Sequence, residues 1–169
     1  NIEQNLMTKE IAIIHFSDFR LGDILIYRNY YNSISHFDKK KIFFFSMKIS
    51  PIEKVLENEN FIFKYLKNDF RKGFSQIADY FLFTKQIKKN NIDTVYVFDD
   101  NLRPILFSYL SNVNKIYSFG FGLQNKFLTN TNILPKKLIR ENKYLILRSF
   151  FKLLKIPVVE KKIALPSIS

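Results

Sequence analysis

The sequence predicts an α/β domain in which a parallel sheet is covered by helices on both faces. Two observations predict this class. Short apolar runs rich in Ile, Phe and Val alternate with amphipathic stretches along the chain, the pattern of repeated strand–helix units. The first such run, Ile11-Ala12-Ile13-Ile14, passes through a short polar connection into an amphipathic stretch. A chain of 169 residues fits one domain of about 100–200 residues. With 47% hydrophobic residues it can bury a sizeable core.

The elements follow in order. Residues 10–16 read as a short Ile-rich strand, and 17–22 as a polar loop. Residues 23–37 read as a helix, with Ile24, Tyr27, Tyr31 and Ile34 at spacings of three and four. Residues 41–46 (Ile42 and three Phe) read as a second strand. Ser50-Pro51-Ile52-Glu53 is a helix start: Ser50 suits the N-cap, Pro51 the first helical position, and Glu53 completes a capping box. That helix is expected to end near Asn58. Residues 61–66 are a candidate third strand. Phe74, Ile77, Ala78, Phe81 and Leu82 then form an apolar stripe on a helix reaching Lys89. Residues 94–98 (TVYVF) are a fourth strand, 102–110 a short helix with Pro104 in its first turn, and 115–119 a weak fifth strand. Residues 135–156 contain the last long helix, with Leu138, Leu145, Ile146, Phe150, Leu153 and Leu154 as its apolar face.

Composition bounds the chemistry. The chain has no cysteine, so it builds neither a disulfide framework nor a thiolate metal site. No apolar run reaches the roughly 20 residues of a membrane-spanning helix. Residues 1–8 lack the charged-then-apolar pattern of a signal peptide, and Met7 is a candidate native start. The formal net charge is +12. Nucleic acid, an anionic membrane surface and a phosphorylated substrate are three partners that suit such a charge. A compositional bias toward Lys, Asn, Ile, Phe and Tyr accounts for it equally.

Ligands of open α/β sheets sit beyond the carboxyl ends of the strands. Asp23 is expected at that edge, at the start of the first helix. Unpaired N–H groups and the helix dipole favour a carboxylate there. Asp23 is therefore either a helix-starting residue or an ionised base able to take a proton from a substrate hydroxyl. Gly22 before it permits a tight turn and close approach of a ligand. Asp99-Asp100-Asn101-Leu102-Arg103 follows the fourth strand at the same edge. Its acids suit a metal, hydroxyl groups, loop solvation or capping of the next helix by Asp100 or Asn101. Arg103 offers a planar fork for phosphate or carboxylate. His15 and His36 are isolated in sequence, and a metal site needs three or four converging ligands; structural roles are expected, with His15 close to the Asp23 edge. Gly120-Phe121-Gly122 does not follow the first strand, so it is no dinucleotide fingerprint, and no Walker loop is present. The stretch 147–156 is basic and amphipathic. It suits either an anionic membrane surface or packing against a core.

The run EIAIIHFSDFRLGDILIYRNYYNSIS resembles the opening of glycosyltransferase family 9, the lipopolysaccharide heptosyltransferase family. Both have an apolar strand, a short Ser-containing loop, Leu-Gly-Asp (here Leu21-Gly22-Asp23) and an apolar helix. IDTVYVFDDNLRPILFSYL and KIYSFGFG resemble a second stretch of that family, with Asp93, Asn101, Arg103 and Gly120 at the corresponding places. The likeness covers roughly residues 10–155. It departs at Asn29, where the family usually carries Pro.

The resemblance implies a Rossmann-like parallel sheet flanked by helices, the N-terminal (acceptor) half of a GT-B fold. Residues 1–9 would then be an N-terminal extension, 10–155 the acceptor-binding domain, and 156–169 a linker toward a C-terminal donor domain. The implied reaction is an inverting transfer in which Asp23 is the base. Ser17, Arg20, Gly22, Asn101 and Arg103 would bind the acceptor, an anionic lipid-linked saccharide of the lipopolysaccharide type. No resident cofactor or metal is implied, because the nucleotide sugar is bound by the C-terminal domain. A cytoplasmic protein, peripheral on the inner face of the cytoplasmic membrane and without a nucleic-acid partner, is expected. Two other readings stay open. One is a flavodoxin-like or response-regulator-like module with Asp99 and Asp100 as an acidic pocket. The other is a basic nucleic-acid-binding domain, which would show steep salt dependence.

Overall fold

The computed structural model describes residues 8–17, 21–38, 40–47, 56, 60–66 and 75–160. Five parallel strands form one sheet: β1 (Glu10–His15), β2 (Ile42–Met47), β3 (Phe61–Leu66), β4 (Ile92–Val97) and β5 (Lys115–Tyr117). Their order is β3-β2-β1-β4-β5. Among the described residues four α-helices accompany them: α1 (Leu21–Asp38), α2 (Ser75–Lys89), α3 (Arg103–Leu110) and α4 (Lys143–Leu154). The α/β Rossmann-like fold expected from the sequence is the fold observed. The helix expected after Ser50 lies outside the described residues.

Strand alternation divides the core in two. Ile11 and Ile13 of β1 face the same side as Phe44 of β2 and Tyr96 of β4, and there Ile24, Tyr27, Tyr31 and Ile34 of α1 meet Leu147, Phe150 and Phe151 of α4. Ala12 and Ile14 face the other side with Phe43, Phe45, Val95 and Val97, packed by Tyr80, Phe83 and Ile87 of α2 and Ile105 of α3. Period-two strands and period-3.6 helices thus bury one stripe each. All four residues of the stripe expected on α1 are buried.

Two helices depart from expectation. On α2, Ile77, Phe81 and Leu82 point outward, with Phe81 65% exposed. The helix carries two apolar stripes, and Tyr80-Phe83-Ile87 takes the sheet because its rings close edge-on against Phe16 and Phe45. The last long helix is divided. A 3-10 segment, Lys136–Arg140, precedes α4, and Asn142 starts α4 by accepting a hydrogen bond from Leu145 N at 2.9 Å. An Asn N-cap with extended backbone interrupts what apolar spacing alone reads as continuous. The apolar side of the 147–156 stretch is spent on the core, since Leu147, Phe150, Phe151 and Ile156 are buried. Packing continues past residue 155: Val159 N donates to Ser33 Oγ at 2.8 Å. No described helix is long and apolar enough to cross a membrane.

Candidate active site

The strand order runs outward in opposite directions from the β1–β4 pair, which makes its carboxyl edge the topological switch point where ligands of open α/β sheets bind. A cleft of about 350 Å³ opens there. His15 and Ser17 come to it from β1, Tyr27 from α1, Phe98 and Asp100 from beyond β4, and Phe119 and Phe121 from beyond β5. Ile139, Glu141, Lys143 and Ile146 close it from the α4 side. A wall of aromatic rings with a few polar groups is the usual make-up of a small-molecule site.

Asp23 does not line the cleft itself but pairs with Lys143, which does. Asp23 lies in the first turn of α1, its side chain 25% exposed, with Oδ2 3.0 Å from Lys143 Nζ. Lys143 is the first residue of α4, where the helix dipole disfavours a cation; the Asp23 carboxylate offsets that. The ion pair therefore ties the starts of α1 and α4 together beside the cleft. His15 lies just below, fully buried. Burial first, then the Lys143 charge, lower its pKa to about 3 against a smaller opposing effect of Asp23, so it is a neutral imidazole at physiological pH. It shares a hydrogen bond through Nδ1 with the Tyr31 hydroxyl, and its ring meets Tyr27 edge-on at 4.7 Å. Burial, and then the charges of Asp99, Asp23 and Asp100, push the Tyr27 phenol above the ordinary tyrosine range. Tyr27 thus keeps its proton at physiological pH.

Asp99 behaves differently from the solvated loop acid that the sequence allows. It is completely buried. Its carboxylate accepts from Phe16 N at 2.9 Å, Ser17 N at 2.8 Å and the Ser17 hydroxyl, clasping the end of β1 to the end of β4. Burial raises its pKa to about 6 against the pull of these donors. In a dinucleotide-binding Rossmann domain, N–H groups after the first strand receive a phosphate; here the chain supplies its own anion. This also removes Asp99 from an open acidic pocket of the response-regulator kind.

Gln124 extends the clasp. Its amide donates to the carbonyls of Asp99 and Asn101 at 2.9 and 3.0 Å, and its Oε1 accepts from Gly120 N and Phe121 N at 3.2 and 3.1 Å. Gly120 has a φ of +85°, and a Cβ there would lie 2.4 Å from Ile133 Cγ2. The Gly120–Gly122 turn therefore presents Phe121 to the cleft instead of cradling a phosphate.

The other expected residues fall as follows. Ser17 lines the cleft, but its hydroxyl hydrogen points to Asp99. Gly22 is helical and exposed, with no described atom within 4 Å of an added Cβ, and the connection before it lies outside the described residues. Asn101 accepts Arg103 N on its Oδ1 at 3.0 Å, starting α3. Arg103 is exposed, its charge acts on Tyr80, and it is not among the residues lining the cleft. Arg20 lies outside the described residues. Among the described residues no three His, Asp or Glu side chains converge as a metal site. Sequence reading missed Lys143, Glu141 and Tyr27 as site residues. Lys143 carried one signal, a cation directly after an Asn N-cap. Tyr27 reads only as one member of a core stripe.

No family model matches the sequence, and no curated protein matches it. Among solved structures the chain is similar to the E. coli heptosyltransferase WaaC with ADP-2-deoxy-2-fluoro heptose, with a TM-score of 0.62 and 11% sequence identity. The match covers 90% of this chain and 50% of that one, so the chain spans about half the length of that enzyme. At this identity the likeness establishes the glycosyltransferase-like fold.

Proposed function

We propose that this chain is the acceptor-side domain of an inverting glycosyltransferase of the heptosyltransferase kind, with Asp23 as general base. The observation that carries the proposal is the position of Asp23: a partly exposed carboxylate in the first turn of α1, paired to Lys143, which lines the switch-point cleft. In the proposed step, an acceptor hydroxyl oxygen forms a bond to the anomeric carbon of a nucleotide sugar. The bond from that carbon to the diphosphate breaks in line, the nucleotide diphosphate leaves, and the hydroxyl proton passes to Asp23. Tyr27 and the aromatic wall would hold the acceptor ring. Asp99 fills the place after β1 where a phosphate could sit, so the donor's diphosphate would be held by a second domain facing this edge. A saccharide of the lipopolysaccharide type is the proposed acceptor.

The test is transfer of sugar from nucleotide donor to saccharide acceptor by the enzyme carrying both domains. Asp23→Ala is expected to abolish transfer with nucleotide binding unchanged. Transfer at the unmodified rate by that variant removes Asp23 as the base.

A further inference from the structure

Lys143 sits where helix electrostatics argue against it. It is the first residue of α4, directly after the Asn142 N-cap, and a helix N-terminus favours a carboxylate over a cation. A lysine there calls for a compensating contact, and Asp23 supplies it, with 3.0 Å between Oδ2 and Nζ. The helices that carry the two residues are fixed by packing. Asn142 Oδ1 holds the first turn of α4 through Leu145 N. Leu147, Phe150 and Phe151 have no exposure, and the Phe151 ring meets Tyr30 of α1 at 4.8 Å. The Lys143 side chain, 45% exposed, also lines the cleft. One ammonium thus serves both the space where an acceptor would sit and the carboxylate proposed as base. His15 and Tyr27, which the Asp23 charge also reaches, are neutral at physiological pH, whereas Lys143 brings a full positive charge.

Resting on the reading of Asp23 as general base, we infer that Lys143 is a positioning residue that acts through it. The ammonium holds the Asp23 carboxylate in one orientation and favours its ionised form until the acceptor hydroxyl arrives. An opposite charge at this distance favours the charged state of a carboxylate, and a base must be unprotonated and aimed before it can take a proton. The ion pair joins two helices, so the packing of α4 on α1 enters the orientation of the base. Lys143 keeps all its protons throughout. When the acceptor O–H bond breaks and its proton passes to Asp23, the carboxylate becomes a neutral acid, and the ion pair weakens to a hydrogen bond. Loss of that proton to water restores the pair for the next turnover.

The test is the pH dependence of kcat and KM for sugar transfer by the enzyme carrying both domains, with Lys143→Met, Lys143→Gln and Lys143→Arg compared. Met and Gln remove the charge, and Arg returns it. Met and Gln are expected to lower kcat at neutral pH by about tenfold, within the range of a misplaced catalytic group. They are also expected to move the acid limb of the kcat profile up by roughly half a pH unit or more, because the lost cation no longer favours the carboxylate. Arg is expected to recover most of the rate and the original limb. A higher KM for the acceptor with kcat and the acid limb unchanged overturns the inference, making Lys143 an acceptor contact only. Unchanged kinetics overturn it too, leaving the pair a link between helices. So does a lower kcat that follows a lower urea midpoint with the acid limb in place, since the pair is then structural. All three results leave Asp23 standing as the base. Undiminished transfer by Asp23→Ala overturns the base reading itself, and the inference with it.

Discussion

Two aspartates stand at the same carboxyl edge, and they are built for different work. Asp99 has no exposure and takes three hydrogen bonds from residues 16 and 17. Asp23 keeps a quarter of its side chain in solvent and pairs with Lys143. The first carboxylate is surrounded by donors fixed in the backbone, so it holds strands together and has no approach for a ligand. The second is partly solvated and pairs with a lysine that lines the cleft. Both are acids near the sheet's carboxyl edge; burial and the kind of partner set them apart.

The largest effect is expected on removing the buried carboxylate. Asp99→Ala leaves two buried backbone N–H groups and a hydroxyl without their acceptor, and is expected to cost about 3 kcal/mol or more. Urea denaturation measures it. A loss below about 1 kcal/mol would mean that water or another acceptor replaces the clasp.

The pH dependence of stability gives the next effect, with two opposing signs. The Asp99 pKa is raised from 3.8 to about 6, so the folded state holds the proton more firmly than the unfolded chain. Its contribution is fully present below pH 3.8 and is lost as pH rises through about 6. The His15 pKa is lowered from 6.5 to about 3. The unfolded chain therefore takes up that proton first, and the contribution present above pH 6.5 is lost as pH falls toward 3. Denaturation midpoints across pH 3 to 7 are expected to show His15→Gln flattening the acid loss and Asp99→Asn removing the opposing slope. A parallel shift of the whole profile in both variants would contradict the assignment.

The smallest effect belongs to the exposed pair. Asp23→Asn and Lys143→Met are each expected to change stability by less than about 1 kcal/mol, because a partly solvated ion pair contributes little. A loss comparable to that of Asp99→Ala would make Asp23 a second structural clasp.

Much of the frame was legible from side-chain period alone. β1, α1 and β4 each carry an unbroken apolar pattern, and Ile24, Tyr27, Tyr31 and Ile34 all reach the core. The pattern failed where two apolar stripes compete on one helix, as on α2, and where a capping Asn interrupts apolar spacing, as at Asn142. Of the site, Asp23 was legible because its place follows from the first strand–helix connection. Lys143 lies 120 residues further along the chain, and only the packing of α4 against α1 brings the two together. The fate of Asp99 was hidden for the same reason. Its donors are residues 16 and 17, across the β1–β4 pair, and nothing local distinguishes it from Asp100, which is exposed.

The most direct measurement is the rate of sugar transfer by Asp23→Asn in the enzyme carrying both domains, taken together with its stability. An intact fold and a rate lower by about a hundredfold or more are expected, the scale of a lost general base. An intact fold with an undiminished rate would contradict Asp23 as the base.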